Sequence, residues 1–165
     1  MAYSIRFDGD ALSFPASHFI TFGNPEKVEA LHGHNFRVRA EIFGPIGKLG
    51  YVVDFLPAYD ALKKICDTLS HKILLPGNHP YIKIRHVEDA VNVTLPPLRW
   101  SFPANDTLVL PLTNSTTELL AEYIARTFQK MLEEYAAFES KTSEYKLKIE
   151  LEEAPGMWGV YTHYT

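Results

Sequence analysis

Cysteine is almost absent from this chain of 165 residues: Cys66 stands alone, which excludes any disulfide within the chain and with it the disulfide-stapled class of small folds. Apolar runs long enough to cross a bilayer are missing too, and no membrane partner is expected. No leader of the secretory type is read at the start, because Met1-Ala2-Tyr3-Ser4-Ile5-Arg6 goes straight into an alternating segment. There is no excess of positive charge. With 16 Lys and Arg against 20 Asp and Glu the formal charge is −4, which argues against a nucleic-acid binder and leaves room for a local basic pocket. Internal repeats and low-complexity tracts are lacking. What remains is a globular composition, 46% hydrophobic and 22% charged, on a length that suits one domain over residues 1–165 in a cytoplasmic setting.

The richest stretch is Leu31-His32-Gly33-His34-Asn35-Phe36. From it His32, His34, Phe36, Val38, Ala40 and Ile42 fall on one parity, with Asn35, Arg37, Arg39 and Glu41 on the other, as in a strand with one buried face. The preceding segment alternates as well: Leu12, Phe14, Ala16, His18, Ile20 and Phe22 share a parity. Three imidazoles thus sit on apolar faces, where an unpaired ring nitrogen is costly. Two neighbouring antiparallel strands can bring them together, and three nitrogens plus water is the usual make-up of an open zinc site. Spacing alone leaves the other reading standing, that of satisfied core histidines around a turn at Gly33.

Along the chain, residues 3–8 and 11–22 read as strands, 23–27 as a loop, 32–43 as the H-x-H strand, and Tyr51-Val52-Val53 as a short strand. Asp54 is a helix N-cap, with Tyr59, Leu62, Ile65, Cys66 and Leu69 as the inner stripe of a helix ending near His71. Six of the eleven prolines fall between Pro76 and Pro111, which reads as an extended excursion over about 76–113 with one short strand near 107–110. Ser115-Thr116-Thr117-Glu118 reads as a capping box, Ser115 at the N-cap and Glu118 at N3, opening a helix to about Phe138. In the strand after it Tyr145, Leu147, Ile149, Leu151 and Glu153 share a parity, so that a carboxylate ends on the apolar side. The order of two strands, two helices and two strands predicts an α+β fold, a four-stranded antiparallel sheet with both helices on one face.

Several blocks in this order resemble the 6-pyruvoyltetrahydropterin and 6-carboxytetrahydropterin synthase family: Ser17-His18-Phe19, Leu31 to Phe36, Gly50-Tyr51-Val52-Val53-Asp54-Phe55, Leu69-Ser70-His71-Lys72, Thr116-Thr117-Glu118, and Glu153-Ala154-Pro155 with Tyr161. The resemblance implies the tunnelling fold (T-fold) and a homo-oligomer, a hexamer or related, whose sheets join into a barrel with sites between subunits. It implies zinc on His18, His32 and His34, and a small-molecule pterin substrate, 7,8-dihydroneopterin triphosphate or a close relative, whose ring is held by Glu153 with Thr116 and Thr117. His71 matches the general acid/base histidine. The Asp that usually precedes it is here Ser70, which can orient an imidazole without raising its basicity as a carboxylate does.

The family's catalytic cysteine, expected at Val28 or Glu26, is absent, and Cys66 is no substitute. Glu29, three residues before His32, matches a subgroup in which Glu takes over from Cys and the product resembles 6-hydroxymethyl-dihydropterin for folate synthesis. The pyruvoyl product and the carboxy product, the latter on the way to deazapurine tRNA bases in queuosine biosynthesis, are the other outcomes. A paralogue that binds zinc and pterin without catalysing is the rival from another class. Lys27 and Lys72 are the candidate cations for the triphosphate.

Overall fold

The computed structural model describes residues 3–135, 137–138 and 144–164. Alternation sets the first half: β1 (Tyr3–Phe7), β2 (Ser13–His18), a small hairpin of β3 (Thr21–Phe22) and β4 (Asn24–Val28), and the long β5 (His32–Gly44). Helix α1 (Phe55–Leu69) follows, then β6 (Lys72–Pro76), β7 (Lys83–Val87), β8 (Ala90–Leu95), β9 (Leu98–Pro103) and β10 (Thr107–Leu110). Helix α2 (Thr117–Glu134), β11 (Lys146–Ala154) and β12 (Met157–Tyr164) complete the chain.

The expected four antiparallel strands are β2, β5, β11 and β12, side by side in that order. The sheet is wider than that core. β1 pairs with the far half of β5, while β6 adds parallel to β2 and β10 parallel to β6. Inward parity explains the placing of both helices on one face. Phe14, Phe36, Val38, Ala40, Ile42, Leu147, Ile149 and Leu151 are all buried, and against them lie Leu62, Ile65 and Leu69 of α1 with Leu120, Ile124, Phe128 and Leu132 of α2. Each such side chain taken fully out of water contributes roughly 1.5–3 kcal/mol. Phe14 and Phe36, stacked with centroids 5.1 Å apart, form the part of this core nearest the histidines.

Several local expectations are corrected. Of residues 23–27, read as loop, 24–27 belong to a strand, β4, that pairs back on Thr21–Phe22. Residues 51–53 are not a strand, although Val52 and Val53 are buried as anchors before α1. Asp54 does cap that helix, its carboxylate accepting from Leu56 N at 3.0 Å, but the helix ends at Leu69. The proline-rich stretch contains a three-stranded antiparallel sheet, β7-β8-β9, with a core of its own in which Val91, Val93, Leu95 and Phe102 meet Phe19 and Leu75. Its prolines sit at strand ends and in turns: Pro76 closes β6, Pro96-Pro97 form the β8–β9 turn and Pro103 ends β9, which is where a residue without an N–H is tolerated. The N-cap of α2 is Thr116, whose hydroxyl accepts from Leu119 N at 3.4 Å, so that Glu118 moves to the second helical position and is exposed. Ser115 is diverted because its hydroxyl donates to Phe19 O at 2.6 Å. The helix stops at Glu134 rather than near Phe138; residue 136, inside that span, lies outside the described residues.

Candidate functional site

Register brings the histidines together. β2 and β5 run antiparallel with His18 opposite His32 and Ala16 opposite His34, so the three rings share one face of two adjacent strands. Their centroids lie 4.7–5.3 Å apart, and one ring nitrogen from each lies within 4.8 Å of the others. His18 is fully buried, while the other two are partly open. Phe36 closes the inner side, its ring edge-on to both His18 and His34.

The surrounding backbone selects which nitrogens are free. A carbonyl can only accept, so Nδ1 of His18 donates to Ser115 O at 2.7 Å and Nδ1 of His32 to Ala30 O at 2.8 Å. In both rings the lone pair is therefore on Nε2. Nε2 of His18 is buried and has no hydrogen-bond partner. Burial pushes His18 below its ordinary value, against the opposing pull of Ser115 O and then of Glu153, which keeps the ring neutral and able to donate electrons. An orphaned, buried, neutral imidazole nitrogen beside two more is the donor set of a borderline-soft divalent cation, and a metal fits these residues.

Two carboxylates reach the cluster. Glu153 lies in a bulge of β11, between the pairs Glu152–Trp158 and Ala154–Met157, and opposes no residue of β12. The bulge re-aims its side chain inward, and Oε1 stands 3.0 Å from His18 Nε2 and 3.8 Å from His34 Nε2. Glu29, tied to Ile20 O through its backbone N–H, places Oε2 4.0 Å from His32 Nδ1, on the side of that ring away from Nε2.

The remaining expected site residues lie around this cluster or apart from it. Thr116 and Thr117 follow Ser115 at the start of α2, and Thr117 is buried against Gly159 of β12, where an added Cβ would come within 2.7 Å of the Thr117 backbone. His71 is held by Ser70 Oγ, 2.8 Å from its Nδ1, and by its own N–H to Pro15 O at 2.6 Å. Its φ of 59° is a left-handed conformation in which glycine is the unstrained choice, so the imidazole is retained there at a conformational cost of about 1–2 kcal/mol. With Lys72, Ser17, Asn35 and His34 it lines a cleft of about 380 Å3. The Lys72 amine donates to Asn105 O, and Lys27 lies 5.5 Å over the Phe22 ring. Cys66 is buried on the inner face of α1 and its thiol is pushed up to about 12 by desolvation, the opposite of what a nucleophile needs.

Sequence reading missed the clamp that fixes His18. Asn114 bridges the strand end at Thr21, accepting from its N–H and donating to its carbonyl, and Ser115 holds both Phe19 O and His18 Nδ1. The signal was present in Asn114-Ser115 as two residues prone to bond the backbone, but the helix start beside them absorbed it.

An antiparallel sheet backed by two helices, with three imidazoles and an inward carboxylate on its inner face, is the tunnelling fold with a candidate metal site. The chain belongs to the 6-pyruvoyl tetrahydropterin synthase family, whose model matches residues 10–163. Among curated relatives a Methanocaldococcus jannaschii protein named "Putative 6-carboxy-5,6,7,8-tetrahydropterin synthase" is 33% identical over 115 residues, 69% of each chain. A Pyrococcus horikoshii protein of the same name is 26% identical over 149 residues, 90% of this chain and 85% of its own. Of solved structures, Plasmodium falciparum 6-pyruvoyl tetrahydropterin synthase superposes with TM-score 0.89 at 26% identity over 99% of both chains. The Plasmodium vivax enzyme, in a form with a catalytic glutamate replaced by alanine, gives 0.89 at 25% over 100% of this chain and 99% of its own.

Proposed function

We propose that this chain is a zinc-dependent pterin lyase acting on the side chain of 7,8-dihydroneopterin triphosphate or a close relative, with Glu29 in the role that cysteine fills elsewhere and 6-hydroxymethyl-dihydropterin as product. The observation that carries the reading is the convergence of His18, His32 and His34, one nitrogen each within 4.8 Å, with a carboxylate on either side. Bound to the three imidazoles, zinc supplies Lewis acidity that makes protons of the hydroxyl-bearing side chain easier to remove.

The chain's own residues do the rest. Glu153 accepts two parallel hydrogen bonds from the 2-amino group and N3–H of the ring, with Thr116 and Thr117 beside it, and this fixes the side chain toward the histidines. Glu29 takes the proton of the second side-chain hydroxyl as the bond between the first and second side-chain carbons breaks. The second carbon becomes an aldehyde, and the electron pair left on the first is protonated. No external oxidant or reductant is needed. His71, oriented by Ser70, serves proton transfer. Lys72, which lines the cleft with His71, is the candidate phosphate contact.

Support for Glu29 comes from the Plasmodium vivax relative, in which a glutamate is a catalytic residue. The names of the archaeal relatives favour a second reading, the 6-carboxy product. Incubating zinc-loaded protein with dihydroneopterin triphosphate and weighing the products by mass spectrometry separates the two: the hydroxymethyl mass is expected, and the carboxy or pyruvoyl mass, or no zinc-dependent turnover, overturns the proposal. Glu29→Ala should abolish turnover with zinc still bound; survival of activity removes Glu29 from the mechanism.

A further inference from the structure

Nε2 of His18 and Oε1 of Glu153 face each other at 3.0 Å, and neither has a hydrogen-bond partner. With the His18 proton on Nδ1, committed to Ser115 O, both facing atoms carry lone pairs. Two acceptors at that distance in a dry site repel unless a cation lies between them. Oε1 also stands 3.8 Å from His34 Nε2. Donors about 2.0–2.2 Å from one tetrahedral ion are about 3.3–3.6 Å from each other, and the two observed separations bracket that value.

We infer that Glu153 is a fourth metal donor in the pterin-free protein, closing the coordination shell, and that capture of the pterin ring draws the carboxylate off and opens the position to substrate. The inference rests on the zinc reading above and deepens it. One side chain then couples ring recognition to exposure of the ion, so that the Lewis acid is open only when a pterin is in place. The bulge makes this feasible: Glu153 lies one residue beyond the last β11–β5 pair, Glu152 with Arg37, and pairs with nothing on β12, so its side chain can swing without breaking a ladder bond. At 21% side-chain exposure it also has an open side from which a ring can approach.

The test uses the full-length protein loaded with Co2+ in place of zinc, together with zinc affinity from chelator competition. Wild-type protein should show intense four-coordinate visible bands, and 7,8-dihydroneopterin should shift them. Glu153→Gln, which keeps the shape but replaces the anionic donor with a weak one, should change the pterin-free spectrum and weaken zinc by at least the roughly 10–100-fold typical of a lost supporting partner. Glu153→Asp should be intermediate. Should the Gln variant fail to fold, infrared difference spectra of the wild-type protein, zinc-loaded minus metal-free, decide the matter: a shifted carboxylate stretch that dihydroneopterin reverses is expected. Wild-type affinity and an unchanged cobalt spectrum in Glu153→Gln, or no such infrared shift, overturn this inference and leave three-histidine zinc intact. Failure of the wild-type protein to take up either metal overturns the zinc reading itself.

Discussion

The inward face of β5 changes chemistry along its length, with His32 and His34 at its start and Phe36, Val38, Ala40 and Ile42 beyond. Both halves belong to one strand, yet the histidine half pairs with β2 and stays partly open beside the start of α2, while the apolar half pairs mainly with β11 and β1 and is sealed under α1 and α2. The comparison teaches that the fold is secured by one half and lent to the other. The imidazoles are placed by register that the apolar residues enforce.

The largest effect should come from crossing that divide. Phe36→Ala should lower the stability of the metal-free protein by about 3–5 kcal/mol in urea unfolding, because it empties a site stacked on Phe14. His34→Ala, two residues away, should cost about 1 kcal/mol or less in the same measurement and yet remove stoichiometric metal, read by elemental analysis. Equal losses of stability would break the comparison.

Gly159→Ala tests the seam between the halves. The new Cβ strikes the Thr117 backbone, so overpacking should cost about 1–3 kcal/mol and push back the start of α2, loosening the Ser115 carbonyl that orients His18. Thermal unfolding and metal occupancy should fall together; a fall in the first alone would uncouple helix and site.

The smallest expected effect concerns His79, beyond the cluster. Neutral His79 accepts Tyr81 and Ile82 N–H at Nδ1, both at 3.1 Å, and pairs through Nε2 with Thr21 Oγ1 at 2.8 Å. Burial holds it below the ordinary imidazole value, so its contribution to stability is present above about pH 6.5 and is lost as pH falls from there toward the lowered folded value. Urea midpoints of wild-type and His79→Gln protein should converge between pH 7.5 and 5; a constant gap would place the bond outside any titration.

Much of this was readable from residues alone. Period-two patterning from Leu12 to His18 and from His32 to Ile42 is strict because one face is buried, and it located the triad; the same rule placed Glu153 inward, although the bulge that aims it leaves no mark in sequence. The meander stayed hidden behind its prolines. Ala90 to Leu95 alternates as cleanly as β5, with Val91, Val93 and Leu95 buried, but Pro96-Pro97 and Pro103 drew attention as breakers when they are only boundaries. The N-cap was misplaced by one residue because Ser115 and Thr116 are equivalent by propensity, and only the long-range bond to Phe19 O distinguishes them. Distant contacts of that kind carry no local pattern.

The pairing of His18 with His32 across β2 and β5 has a bearing on how the protein matures. A slip of one residue between those strands would turn every side chain of the displaced strand to the other side, separating the imidazoles and expelling Phe14 or Phe36 in the same movement. Only a chain whose strands have paired in this register brings one nitrogen from each of the three imidazoles within 4.8 Å of the others.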